Sequence, residues 1–373
     1  MDALTQTIPA SNSDGKPKPH VLAVPYPAQG RMLPLLDLAA LLAGRGIALT
    51  VAVTPGNVRL LAALPPSVAT VVLPFPPAGC AENTRDLPAH LFRPFMASLA
   101  ALSAPLLAWC KAQPRAITAM DPWSPICSRG GRFRSRRRRD DSGDERVVAF
   151  PELPGSPSFP WCHLSWLFRM HVAGDEVSEM IRQTLLWSLE SSCFVVNSFA
   201  ALEAGCFVDA LSAERVFMVG PLSEAAVVRG GEPAEVAKWL DAFDDGSVLY
   251  ICFGSQHALS PAQAACVADV LTLSPAITFV LAVRSGTVLP DGFEAATASR
   301  GSVIQGWAPH VDVDILRHRA VGWLLTHCGW NSVLEWAAAG VAMLTWPMAA
   351  DHTNAWLLME TGVGVSTQPG HGP

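Results

Sequence analysis

The chain has 373 residues, of which 50% are hydrophobic and 16% charged; this excludes a disordered or fibrous protein and suits two α/β domains rather than one core. The formal net charge of -6 argues against nucleic acid as the main partner, because a phosphate backbone is held by an accumulated positive field. Nine cysteines lie scattered between Cys80 and Cys328 with no Cys-x-x-Cys pair and no zinc-ligand spacing, and they read as reduced thiols of a cytoplasmic protein.

Residues 1–18 are polar, have no apolar core of a signal peptide, and read as a disordered lead. HVLAVPYP then predicts a buried parallel strand, AQGR a turn, and MLPLLDLAALLAGRG a helix stopped by glycine. IALTVAVTP and VATVVLPFP predict two further buried strands. A largely helical stretch from Leu87 to Cys110 comes next, interrupted by Pro94 and Pro105, and no stretch reads as long enough to cross a bilayer.

The rhythm fails after Asp121. SRGGRFRSRRRRDDSGDE carries seven arginines and no apolar period, so 121–150 reads as an anomalous, solvated block where a strand and helix were due. An insertion or a shifted reading frame would produce it. CFVV and VFMVGPL then predict strands, and the polar, glycine-containing stretch 223–233 predicts an interdomain linker. The expected domains are therefore 19–222 and 234–373.

The second domain repeats the βαβ pattern: strands at LYICFGS, ITFVLAV, SVIQGWAP, AVGWLLTHCG and VAMLTWP, and helices at AEVAKWLDAF, SPAQAACVADVLTL, SVLEWAAAG and NAWLLMETG. Its chemistry concentrates between Trp307 and His352. In HCGWNS, Gly329 permits a sharp turn from strand to helix, and Asn331 and Ser332 occupy the first helical turn, where free backbone N–H groups and the dipole favour an anion. A diphosphate fits there without a metal. His327 can donate to it, Glu335 one turn on can accept from two ribose hydroxyls, Trp307 can stack on a flat base, and Asp351 and His352 can bind hydroxyls of a sugar.

This ordered set resembles the signature box of plant secondary-product UDP-glycosyltransferases, and PYPAQG, VVNSFAALE, VGPL and ICFGS agree with that family. The resemblance implies an α/β GT-B fold of two facing, doubly wound, Rossmann-like domains: an acceptor-binding one, and a UDP-sugar-binding one ending short of the family's last helices. It implies that Trp307 stacks on uracil with the backbone of Ala308 at its edge, that His327, Trp330, Asn331 and Ser332 with Ser255 hold the diphosphate, that Glu335 takes the ribose, and that Asp351 and His352 touch the donor sugar. The family usually has Gln where His310 and His352 stand, and at the last position it associates Gln with UDP-glucose and His with UDP-galactose. VDVDIL is also longer than the family's usual spacing.

The implied reaction is inverting transfer of a hexose from UDP-glucose or UDP-galactose to a hydroxyl of a small lipophilic acceptor, flavonoid-like or hormone-like. No cofactor, no metal, no nucleic acid and no integral membrane association are expected, and the chain is expected to be a monomer. The family's catalytic base is a His after the first strand–helix turn, oriented by an Asp. Here Arg31 stands at the first position and Asp121 is the candidate for the second. Because arginine keeps its proton at neutral pH, the competing expectation is an inactive relative that retains at most nucleotide binding.

Overall fold

The computed structural model describes residues 19–75, 81–114, 117–120, 146–151, 155–188, 190–203, 216–222, 234–255, 257–306, 314–348 and 351–366. The disordered lead at 1–18, the arginine-rich run, the linker at 223–233 and the end of the chain beyond 366 lie outside these residues. The chain forms two compact units. The first comprises Met1–Arg138, Met170–Ser192 and Ala225–Val228; the second comprises Arg139–Arg169, Cys193–Glu224 and Arg229–Pro373.

The first unit holds a parallel sheet of β1 (His20–Ala23), β2 (Ala48–Val53), β3 (Val68–Val72) and β4 (Ile117–Met120) in the order β3-β2-β1-β4. β2 is buried along its whole length, which explains its unbroken apolar run. Helix α1 (Gln29–Gly44) covers one face through Met32, Leu35, Leu36 and Ala39, which pack with Leu49, Val51 and Val68. On the other face Leu22 and Ala52 meet Leu102, Leu106 and Trp109.

Two expectations are corrected by this unit. Pro94 and Pro105 do not interrupt helices: each sits in the first turn of one, α2 (Phe92–Ala100) and α3 (Ser103–Ala112), where the missing N–H has no partner to lose. The break falls instead at Ala101–Leu102. Phe92–Ala112 as a whole is also long and apolar enough, by length and composition, to cross a membrane, contrary to the expectation drawn from Pro105. Helix α4 (Glu176–Ser188), hidden in the sequence by its polar residues, is anchored by an ion pair from Arg93 to Asp175. Asp175 also accepts from the amide of Ser178 at 2.9 Å.

The second unit is built on a six-stranded parallel sheet: β9 (Val248–Cys252), β10 (Thr278–Val283), β11 (Gly301–Gln305), β12 (Val321–Thr326), β13 (Ala342–Thr345) and β14 (Gly364–Ser366), in the order β11-β10-β9-β12-β13-β14. The chain starts in the middle, winds outward through β10 and β11, and returns beside β9 to wind the other way. That is the doubly wound order. The strand β14 was not apparent in the sequence. Neither was the antiparallel pair β5 (Val147–Ala149) and β6 (Ser158–Pro160), whose first strand occupies the tail of the block read as anomalous. β7 (Phe194–Val196) and β8 (Val216–Met218) form a separate parallel pair.

Around the sheet, α5 (Ala234–Leu240) contributes Leu240 to a core with Val248, Tyr250, Val280, Ile315, Leu324 and Val333, and α6 (Pro261–Leu273) packs Ala264, Val267 and Leu271 against Ile251, Phe279 and Leu281. A capping box between Ser260 and Gln263 starts α6, with proline at its first position. Gly301 opens β11 against the ring of Phe279: a Cβ there would lie 2.4 Å from Phe279 Cζ. Phe279 is fully buried and has no room to retreat. Gly301→Ala is therefore expected to cost about 1–3 kcal/mol by overpacking in a thermal melt. Gly44→Ala, at the open end of α1 with nothing within 4 Å of its Cβ position, should leave the melting temperature unchanged or slightly raised.

Candidate functional site

In a doubly wound sheet, ligands bind beyond the carboxyl ends of the two strands where the winding reverses. In the second unit those strands are β9 and β12. β9 runs directly into Phe253-Gly254-Ser255, and β12 runs into His327-Cys328-Gly329. The topology alone thus places ICFGS and HCGWNS side by side.

The turn after β12 is tightly built. Cys328 adopts φ 67, in the left-handed region that a side chain rarely occupies. Its amide approaches the Thr326 hydroxyl at 3.4 Å, and its carbonyl accepts from Asn354 Nδ2 at 2.9 Å. Burial pushes the Cys328 thiol up to about 12, so it is neutral packing and not a nucleophile.

The imidazole of His327 is held between two glycine backbones. A Cβ on Gly254 would lie 2.5 Å from its Cε1, and a Cβ on Gly329 would lie 2.3 Å from its Nε2. Both glycines are required by close approach, and Gly254 also by φ +71. Burial drives the pKa of His327 down to about 4; Asp351 opposes the shift and His257 adds to it. At neutral pH the ring is uncharged, with Nδ1 lying 3.4 Å from the Thr326 hydroxyl.

Helix α7 (Trp330–Ala339) begins directly after Gly329. No side chain caps its first turn and no acidic residue stands in it, so the amides of Trp330, Asn331 and Ser332 are those that a helix start leaves without an intrahelical acceptor. Together with the neutral His327, this forms a cradle for an anion. Asn331, Ser332 and Glu335 are half-buried, as is Ser255 beside Gly254. The side chain of Trp330 is committed elsewhere than its amide: its indole N–H donates to the carbonyl of Asn197 at 2.9 Å, and its ring packs on the sheet core. VVNS is thereby explained, because Asn197 braces the helix that carries the cradle and also accepts from the amide of Leu222 at 2.9 Å. Trp307, Ala308 and His310 lie outside the described residues, as does Asp121.

Asp351 precedes helix α8 (His352–Glu360) and accepts from Asn354 Nδ2 at 3.3 Å. Its other oxygen is 3.7 Å from Nε2 of His257, a residue that sequence reasoning did not single out because it sits alone in an unremarkable loop. His352 lies flat on His163, with ring centroids 3.6 Å apart and planes within 4°. Burial, with repulsion from His163 added, lowers its pKa to about 4.

In the first unit, Arg31 is the third residue of α1, half-buried at the carboxyl end of β1, with its guanidinium 5.5 Å from the centroid of the Tyr26 ring. Burial pushes the Tyr26 phenol up to about 12, against the charge of Arg31.

Two Rossmann-type sheets, one with an anion cradle at its reversal point, define a nucleotide-dependent α/β protein of the GT-B class. Comparison with known proteins makes this specific. Residues 224–369 match the family model described as UDP-glucoronosyl and UDP-glucosyl transferase. The chain is 40% identical over 403 aligned positions to UDP-glycosyltransferase 89B2 of Stevia rebaudiana, covering 94% of this chain and 85% of that protein. It is 38% identical to flavonol 3-O-glucosyltransferase UGT89B1 of Arabidopsis thaliana, covering 95% and 85%. Among solved structures, Arabidopsis thaliana UGT89C1 complexed with UDP-L-rhamnose aligns at a TM-score of 0.70 and 31% identity, over 94% of this chain and 84% of that one. The chain belongs to the plant UDP-glycosyltransferase family.

The family motif VVNSFAALE ends at Glu203, which is 1% exposed. Among the described residues neither of its carboxyl oxygens has a hydrogen-bonding partner, although the Ser198 hydroxyl is near enough to moderate its acidity. Burial raises its pKa to about 7. Between the unfolded value of 4.5 and 7 the folded state keeps a proton that the unfolded state releases. Stability therefore falls as pH rises through that window and levels off above it, by up to about 3 kcal/mol. Glu203→Gln is expected to remove this slope, so that denaturant midpoints of variant and parent diverge in the variant's favour from pH 5 to 8. Parallel curves would contradict the assignment.

Proposed function

We propose that this chain binds a UDP-sugar at the cradle formed by His327 and the start of α7, and that its reaction is inverting transfer of a hexose to a hydroxyl of a small lipophilic acceptor of flavonoid type. The observation that carries this reading is an uncharged, immobilised imidazole beside the start of a helix that no side chain caps, at the winding reversal. Such a site donates to a diphosphate through fixed dipoles and needs no mobile cation. Glu335, one turn into α7, is the proposed ribose ligand, and Trp307 the uracil platform.

Glucose is the favoured donor, with galactose second. The names of the relatives support glucose and a flavonol acceptor: UGT89B1 is a flavonol 3-O-glucosyltransferase. UGT89C1 is seen with UDP-L-rhamnose, so that sugar belongs in the same assay. His352 bears on the choice. Its ring is uncharged and its plane is set by the stack on His163, so it presents a fixed edge to a sugar hydroxyl where a glutamine would present a swivelling amide.

One observation favours a second reading, a chain that binds donor and turns it over poorly. Arg31 cannot accept the acceptor's proton, and a general base contributes about 10²–10⁴ in rate. Calorimetric titration with UDP should show binding in the parent and a loss of at least about tenfold in Glu335→Ala; equal affinities would remove the nucleotide reading. With a flavonol acceptor and UDP-glucose, Arg31→His should raise turnover by about 100-fold or more over the parent. Equal turnover would show that the missing base does not limit this protein.

A further inference from the structure

We propose that His257, His327 and Asp351 form a binding site for a divalent transition-metal ion of the zinc type. The three side chains come from separate loops at the carboxyl ends of β9, β12 and β13, and each offers one ligand atom. These atoms all lie within 4.8 Å of one another. His257 Nε2 is 3.7 Å from Asp351 Oδ2, and the His257 and His327 ring centroids are 5.3 Å apart.

A tetrahedral zinc ion with N and O ligands at about 2.0–2.2 Å spaces them roughly 3.4 Å apart. The set is therefore open by about an ångström, and the members able to close it are half-buried: the side chains of His257 and Asp351 are 26% and 22% exposed. His327 is the fixed member, locked by Gly254 and Gly329. Two imidazoles and a carboxylate suit zinc, cobalt or nickel; magnesium and calcium prefer all-oxygen sets.

Metal sites generally hold their ligands from behind, and two such supports are present. The Thr326 hydroxyl lies 3.4 Å from Nδ1 of His327, and Asn354 donates to the Asp351 oxygen that does not meet His257. Three protein ligands leave one tetrahedral position for water or an anion. Arg284 lines the same depression as His257, and its charge opposes a cation. The affinity expected is accordingly on the order of micromolar, below that of a structural zinc site. The sequence-based expectation of no metal rested on the lack of any metal-ligand spacing, whereas this set is assembled from three distant segments and has no sequence motif.

The proposal goes beyond the donor reading and is tested without nucleotide. Co²⁺ is titrated into the full chain and followed by visible absorption, then displaced with Zn²⁺. One equivalent should bind with weak visible bands and no thiolate charge-transfer band, because the ligand set contains no cysteine. His257→Gln and, separately, Asp351→Asn should each weaken Co²⁺ binding at least about tenfold, in proteins whose thermal melts show them folded. Absence of binding in the parent, a thiolate band, or unchanged affinity in both variants would overturn it. UDP is titrated both in EDTA and with Zn²⁺ bound: loss of UDP binding in both counts against the donor reading and leaves the Co²⁺ result standing.

Discussion

The second unit depends on how closely the backbone can approach one imidazole. Two parallel strands end side by side at the winding reversal, and a side chain on either Gly254 or Gly329 in the turns beyond them would strike the His327 ring. Gly254 and Gly329 resolve this, and His327 fills the slot between them. Around that ring stand the left-handed turn at Cys328, the uncapped first turn of α7 and the Asn354 bond to the Cys328 carbonyl, and burial there takes the charge off the histidine itself. A ring immobilised by packing holds a hydrogen-bonding edge more closely than a mobile side chain does.

The same geometric rule applies to the first unit by itself. In the first unit β1 and β4 are the strands at the reversal, and the residues after them in the sequence are VPYPAQGR and Asp121. On the proposed reading, this is the point where an acceptor-activating base would stand. Arg31 occupies it as a cation against an aromatic ring, and this is an arrangement that binds anions or aromatic acceptors more readily than it removes protons.

Much of this was legible in the sequence because parallel strands are continuous apolar runs and because turns at strand ends use glycine. β1, β2, β9, β10 and β12 are of that kind, and the cradle at His327–Ser332 could be placed on a helix start before any coordinates. The misses have physical causes. α4 interleaves Glu, Ser, Arg, Gln and Thr with its apolar residues and buries only Ser178, Ile181 and Leu185, so its apolar stripe is thin. The prolines of α2 and α3 looked like breaks because a helix start and a helix interior cannot be told apart without a cap signal. The indole N–H of Trp330, a residue read as part of the donor site, donates to Asn197, a contact its place in the motif did not reveal. His257 carried no signal at all, because only the fold brings its loop to Asp351.

The central claim is that the slot between Gly254 and Gly329 holds His327 in the position that grips a diphosphate. Filling that slot by a single methyl group tests it most directly. UDP titrated calorimetrically into Gly329→Ala, checked for folding by its melting transition, should bind at least about tenfold more weakly than into the parent, since the new Cβ would displace the ring. A folded Gly329→Ala protein with the parent's affinity for UDP would contradict the account.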